Sequence, residues 1–268
     1  MSNDAFSLIV LVVATVVAVG ILAWLWRVVP PPPVAIPLPH YPVVLVHGIM
    51  GWDKFGYGPL VVSYFRGASQ AMRAAGATVY TPRLPPLSSV PVRAEALAKF
   101  IRALPDTKVN IVAHSMGGLD ARWAIAKLGI ASKIACVVTV ATPHHGSPLA
   151  DFAARRGLRR IPAIDWLTTE SAKLINSEAL DQPGVVYGSV VSRTGKRLWL
   201  SNPVLFTPWL LMRGKHGASD GLVPAESQRW GSVWMEVEED HWGQVGWSWR
   251  GSAPLYLRIL QELASRGG

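Results

Sequence analysis

The stretch Val109-Asn-Ile-Val-Ala-His-Ser-Met-Gly-Gly118 sets one serine between two patterns. Val109 to Ala113 reads as a buried strand, and Gly117 to Leu128 carries helical spacing. Ser115 therefore sits on a sharp strand-to-helix turn, with Ala113 two positions before it and Gly117 two after. Such a turn presses the backbone against its neighbours, so the flanking positions must be small. It also lifts the serine Oγ clear while the helix N-terminus offers N–H groups nearby. This is the geometry of a nucleophile elbow, with Ala113 in place of the usual first glycine. A serine that only caps the helix is the other reading of the pentapeptide.

Outward from this turn the chain alternates strand and helix. Val43 to Val46 predicts a strand and Val61 to Ala75 a helix; Thr78 to Thr81 and Val92 to Leu104 repeat the pair. Ile134 to Val140, Val185 to Val191 and Val233 to Val237 predict further strands, and Pro254 to Ala264 a closing helix. Continuous apolar strands in βαβα order predict an α/β fold, a mostly parallel sheet with helices on both faces. The first strand ends at His47-Gly48-Ile49-Met50-Gly51, a glycine-bearing loop able to turn a backbone N–H toward charge developing on an attacked carbonyl.

Three segments carry a resemblance: Tyr41-Pro-Val-Val-Leu-Val-His-Gly-Ile-Met-Gly-Trp-Asp53, the elbow segment to Gly118, and Ala141-Thr-Pro-His-His-Gly-Ser147. They resemble the bacterial triacylglycerol lipases and esterases of the α/β-hydrolase superfamily, almost continuously from Tyr41 to Phe152 and in islands beyond. The resemblance implies an α/β-hydrolase fold and a serine ester hydrolase with an acyl-enzyme on Ser115. Its oxyanion donors would be the N–H groups of Met116 and Ile49. His47, Gly48 and Trp242 are expected to line the substrate site. An acyltransferase using the same residues, or a non-catalytic membrane scaffold on this fold, would be the alternatives.

Chain order in that fold is nucleophile, acid, histidine, which leaves only His216 and His241 late enough. Ser219-Asp220-Gly221-Leu222-Val223-Pro224 resembles the family's acid loop, and His241 falls where its histidine does. Asp220 is thus assigned to orient the ring and His241 to take the Ser115 proton. His216 reads as a surface loop residue, Asp240 as solvated, and Asp120 as a surface or capping residue. His144 and His145 lack a carboxylate at ligand spacing and read as part of a structural loop.

Residues 151–180 fall where the family places a lid. Arg155, Arg156, Arg159 and Arg160 mix there with Leu158, Ile161, Ile164, Trp166 and Leu167, which suits an amphipathic lid or equally a charged helix with a core face. Some secreted relatives bind calcium through an aspartate two residues past the catalytic histidine. Gly243 occupies that position, so no metal is expected there, and no cofactor. The compact length implies reduced accessory elements and leaves long-chain triacylglycerol preference open.

The 268 residues are half apolar and 16% charged, which excludes a disordered chain, and the single Cys136 excludes an intramolecular disulfide. Part of the apolar surplus is local: Phe6 to Trp26 holds 21 uncharged residues, about 31 Å as a helix and enough to cross a bilayer. It exceeds a signal-peptide core and lacks a preceding cation, so an uncleaved anchor is expected. Residues 1–29 form that anchor, 30–40 a proline-rich spacer, and 41–268 the catalytic domain. Arg27 is the only flanking basic residue; by the positive-inside rule the domain would be cytoplasmic, and one arginine leaves the side open. Asp4 and Arg27 cancel, so the whole formal charge of +9 lies beyond residue 40. The basic residues are dispersed without a nucleic-acid motif, which favours an anionic lipid surface as partner. Protein partners are not legible.

Overall fold

The computed structural model describes residues 35–51, 54–55, 62–195, 202–247 and 251–268. The predicted anchor at 6–26 and residues 30–34 of the predicted spacer lie outside the described residues. Among the described residues no helix is long and apolar enough to cross a membrane.

Six parallel strands build the sheet: β1 (Val43–Val46), β4 (Val79–Tyr80), β5 (Val109–His114), β6 (Ile134–Val140), β7 (Val186–Arg193) and β8 (Ser232–Glu238), in the order β4-β1-β5-β6-β7-β8. A two-stranded antiparallel pair, β2 (Lys54–Phe55) with β3 (Val62–Ser63), stands apart. Every residue of β1, β5 and β6 is buried, because helices cover both faces. On one face Val43, Leu45, Val112 and Val138 pack on α1 (Ala68–Ala74) and α8 (Ala253–Ser265) through Met72, Tyr256, Ile259 and Leu260. The alternate residues Val44, Val46, Ile111 and Val137 meet α2 (Val90–Arg102) and α3 (Met116–Lys127) through Leu97, Ile101 and Ile125. Each large side chain buried this way is worth about 1.5–3 kcal/mol, which explains why period-2 polarity is absent from these strands.

The helix predicted from Val61 to Ala75 is shorter. Val62–Ser63 is a strand, and the helix begins only after Gly67, whose φ of 78° breaks the helical path ahead of Ala68. The other predicted elements differ from the observed ones by at most two residues at either end.

Residues 151–180 fold into three short helices, α4 (Pro148–Arg155), α5 (Pro162–Trp166) and α6 (Thr169–Glu178). Ala163 and Ile175 bury against Met116 and Leu119 of α3. Asp151 accepts from the Thr169 N–H and hydroxyl at 2.9 Å each, tying α4 to α6. A final cap helix, α7 (Pro203–His216), lies between β7 and the Asp220 loop.

Candidate active site

Ser115 has φ 55° and ψ −130°, left-handed backbone that a side chain adopts only when its surroundings enforce it. Its N–H donates to Val140 O at 2.9 Å, and Thr142 Oγ1 donates to its carbonyl at 2.8 Å. The serine stands at the helix N-cap position but its side chain makes no cap bond. A Cβ on Gly117 would lie 2.7 Å from Val46 O and 2.8 Å from His47 O, so the turn closes only with glycine there.

The register of the sheet assembles the rest. Val46 pairs with Ala113, which brings Gly48 level with Ser115; a Cβ on Gly48 would sit 2.8 Å from Ser115 Cβ. His241 Nε2 lies 3.0 Å from Ser115 Oγ, and His241 Nδ1 lies 2.7 Å from Asp220 Oδ2. Asp220 is fully buried, yet its carboxylate is well solvated by protein. Oδ1 accepts from the N–H groups of Leu222 (3.0 Å) and Val223 (2.8 Å), and Oδ2 also from Gln244 Nε2 (3.3 Å). A carboxylate held this way fixes the Nδ1–H tautomer and leaves the Nε2 lone pair facing the serine hydroxyl. The backbone agrees: His241 N–H donates to Asp220 O at 2.9 Å. Ser115 follows β5, Asp220 lies in the loop after α7 and His241 follows β8, and the three meet in one line.

The His47–Gly51 loop is clamped from beneath. Arg93, on α2 and fully buried, reaches Asp120 at 2.8 Å, Pro85 O at 3.0 Å, His47 O at 2.8 Å and Gly48 O at 3.2 Å. In a trans peptide the C=O and the following N–H point opposite ways. Anchoring Gly48 O on Arg93 therefore turns the Ile49 N–H away from the clamp. Met50 N–H and Gly51 N–H are already donated to Pro86 O and Gly48 O. Met116, the first residue of α3, contributes an N–H of the kind left open at every helix start.

Several sequence expectations need correcting. Asp120 is neither at the surface nor a cap; it is fully buried as the partner of Arg93, and burial pushes its carboxyl up to about 6 against the opposing pull of that guanidinium. His47, expected at the substrate site, also has a structural place. Its ring is buried, with Nδ1 on Gly48 O at 2.9 Å and Nε2 accepting from Leu84 N–H at 3.0 Å, so it braces the loop. Asp240 is not solvated: its Oδ1 accepts from Asn202 Nδ2, Trp242 N–H and Gly243 N–H at 3.0–3.1 Å, pinning the histidine loop to the start of α7. His216 is exposed, but on the last turn of α7 instead of a loop. Trp242 is 38% exposed beside His241. His144 is buried under Trp230, bonded to Thr139 Oγ1 at 3.0 Å and to Arg122 at 3.3 Å. Among the described residues no three His, Cys, Asp or Glu side chains group as metal ligands.

A further pair was missed by sequence reasoning. Tyr64 O–H donates to His114 Nδ1 at 2.7 Å, and His114 Nε2–H donates to His241 O at 3.1 Å. Burial, and then the neighbouring His241, hold His114 well below the usual histidine range, so it stays neutral.

A family profile described as "alpha/beta hydrolase fold" matches residues 41–163. The chain is 27% identical over 267 residues to Triacylglycerol lipase 2 of Saccharomyces cerevisiae, covering 78% of this chain and 81% of the relative. It is 40% identical over 121 residues to Triacylglycerol lipase of Burkholderia plantarii, covering 42% of this chain and 32% of the relative. The chain thus has an α/β-hydrolase fold and is similar in sequence to triacylglycerol lipases. These similarities support a serine ester hydrolase. It spans most of the yeast relative but only about a third of the bacterial lipases it matches. Among solved structures, a metagenomic carboxyl esterase superposes with a TM-score of 0.73 at 19% identity, covering 88% of this chain and 79% of that one. The mature Bacillus licheniformis lipase gives 0.68 at 20%, covering 87% and 95%. At that identity these two establish the fold alone.

Proposed function

We propose that the chain hydrolyses carboxylic esters with lipid-like acyl groups through an acyl-enzyme on Ser115. The observation that carries this is the Ser115–His241–Asp220 line at 3.0 and 2.7 Å. His241 Nε2 takes the serine proton as Oγ bonds to the ester carbonyl carbon, and the carbonyl oxygen gathers negative charge opposite the N–H groups of Ile49 and Met116. Collapse expels the alcohol, which receives the proton from His241. Water then repeats the sequence to free the acid. Asp220 holds the ring and stabilises the imidazolium throughout. Gly48 and Trp242 border the bound ester, α4 to α6 act as its lid, and neither metal nor cofactor enters any step. The names of the yeast and bacterial relatives favour acylglycerols among such esters. In this reading residues 6–26 anchor the catalytic domain, residues 41–268, to a membrane through the spacer at 30–40.

Ser115→Ala should abolish p-nitrophenyl ester turnover and fluorophosphonate labelling while leaving the circular dichroism spectrum intact; retained turnover would refute the assignment. A series of ester chain lengths with and without a lipid interface separates lipase from esterase behaviour. Acyl transfer to added alcohol in preference to water would replace hydrolysis with transfer.

A further inference from the structure

The helix α7 is apolar on the side it buries and apolar again on the side it exposes. Leu205, Trp209 and Met212 face inward, all at most 4% exposed. The outer face carries Pro203, Val204, Thr207, Leu210, Leu211 and Gly214, with Val204, Leu210 and Leu211 at 66%, 56% and 64% exposure. A helix apolar all round belongs in a buried setting, and this one has its outer face open. Its final turn is basic, with Arg213, Lys215 and His216. Beside that turn is a cleft of about 360 Å³ lined by Thr194, Gly195, Trp209, Arg213, Gly217 and Ala218.

We infer that the outer face of α7 is a membrane-docking surface, its leucines entering the acyl boundary of an anionic bilayer and its basic end meeting the headgroups. Three observations select a bilayer over other occupants. The exposed apolar face ends in cations, Arg213 and Lys215, which can meet anionic headgroups while the leucines enter the acyl boundary. The formal +9 of the chain lies entirely beyond residue 40. The 21 uncharged residues at 6–26 join the domain through residues 27–42, at most about 50 Å at extended polyproline spacing, so a bilayer holding that segment is kept within about 50 Å of the start of β1. That last argument rests on the anchor reading above.

The helix is also placed to matter for turnover. Asn202 at its start bonds Asp240 next to His241, and Leu205 and Trp209 pack on Leu222 of the Asp220 loop. A bilayer seated on α7 thus lies against the two loops that complete the site.

The test uses the full chain in vesicles of phosphatidylcholine with phosphatidylglycerol. Leu211→Cys carries an environment-sensitive nitrobenzoxadiazole label, with Glu95→Cys on the exposed face of α2 as control and the buried native Cys136 left unlabelled. The label at 211 should blue-shift and lose most of its emission to doxyl groups on the lipid chains, while the label at 95 should not change. Equal behaviour at both sites would overturn the inference. So would shielding at 211 without doxyl quenching, which would show that residues 6–26 or a second copy cover the helix. Leu210→Glu with Leu211→Glu should lower turnover of vesicle-borne ester by about tenfold or more and leave a soluble short-chain ester unaffected. Unchanged vesicle turnover would also count against it. If no ester is turned over by the native chain, the hydrolase reading fails while the quenching result still decides the docking surface.

Discussion

Arg93→Lys separates a residue that holds the fold from one that aims the chemistry. The guanidinium satisfies one carboxylate and three carbonyls at 2.8–3.2 Å, all beneath the His47–Gly51 loop. A lysine keeps the charge opposite Asp120 but presents its donors from a single point, so it cannot serve the planar fork of acceptors. Losing the bonds to His47 O and Gly48 O at about 1 kcal/mol each predicts a stability loss of about 2 kcal/mol, survivable for a domain with about 5–15 kcal/mol in hand. The catalytic effect has a different ceiling. With Gly48 O released, the Ile49 N–H is no longer aimed, and in the proposed mechanism one oxyanion donor is worth about 2.7–4 kcal/mol, or 10²–10³ in kcat. Partial retention of the loop geometry predicts a fall of about 10–100-fold. Because that donor acts on charge present only in the transition state, kcat should fall while KM for a soluble ester barely changes. Steady-state kinetics paired with urea unfolding measures both. A variant with a lowered urea midpoint but native kcat would refute the reasoning, since Arg93 would then support the fold without aiming anything.

Two more outcomes follow from the same loop. Asp120 has a folded pKa of about 6, above its ordinary 3.8, so its proton is held more tightly in the folded chain. Its contribution to stability is therefore full below about pH 4 and is lost as pH rises through about 6, on the order of 3 kcal/mol. Urea midpoints should show the native chain losing ground to Asp120→Asn between pH 4.5 and 7; a native margin that grows with pH would mean that Arg93 outweighs burial. Gly48→Ala sets a Cβ 2.8 Å from Ser115 Cβ and 2.9 Å from the Tyr64 hydroxyl, so the loop must retreat from the nucleophile. Overpacking of this kind costs about 1–3 kcal/mol, and ester turnover should drop by at least about 10-fold; native turnover would mean that the loop does not approach the reacting carbonyl.

The sheet was legible because its central strands are buried on both faces and read as unbroken apolar runs, which few loops imitate. The elbow was legible because its turn restricts the residues on either side of Ser115. What escaped were interactions between residues distant in sequence. Arg93 and Asp120 stand 27 positions apart, and each reads as an ordinary helix-surface charge. One signal was present: Arg93 falls on the core stripe of α2, between Val90 and Leu97, where a cation needs a partner. Asp240 was misread because neighbours in sequence rarely face each other. The chain curls after His241, and the carboxylate instead gathers the N–H groups of Trp242 and Gly243. The bracing bonds of His47 escaped because its motif position suggests only a substrate contact. Gly51 lets the ring fold back into the protein; a Cβ there would lie 2.3 Å from His47 Nδ1.

The Tyr64–His114 pair shows how the two halves of the site are kept in step. The Gly48 N–H donates to the Tyr64 hydroxyl, which donates in turn to His114 Nδ1, and the opposite ring nitrogen donates to the carbonyl of His241. The His47–Gly51 loop and the histidine loop thus share one chain of hydrogen bonds. That chain runs in a single direction only if His114 is neutral, with its proton on Nε2, because a proton on Nδ1 would break the bond from Tyr64. Neutrality also matters for the chemistry. The rings of His114 and His241 are 4.6 Å apart between centroids, and an imidazolium at His114 would oppose the positive charge that His241 must take on with the serine proton. Burial keeps that second charge away, while Asp220 on the far side favours the one that is needed. Two histidines in contact are therefore assigned different work by their surroundings: one is sealed and bonded as a spacer, the other is left open to Ser115 and backed by a carboxylate.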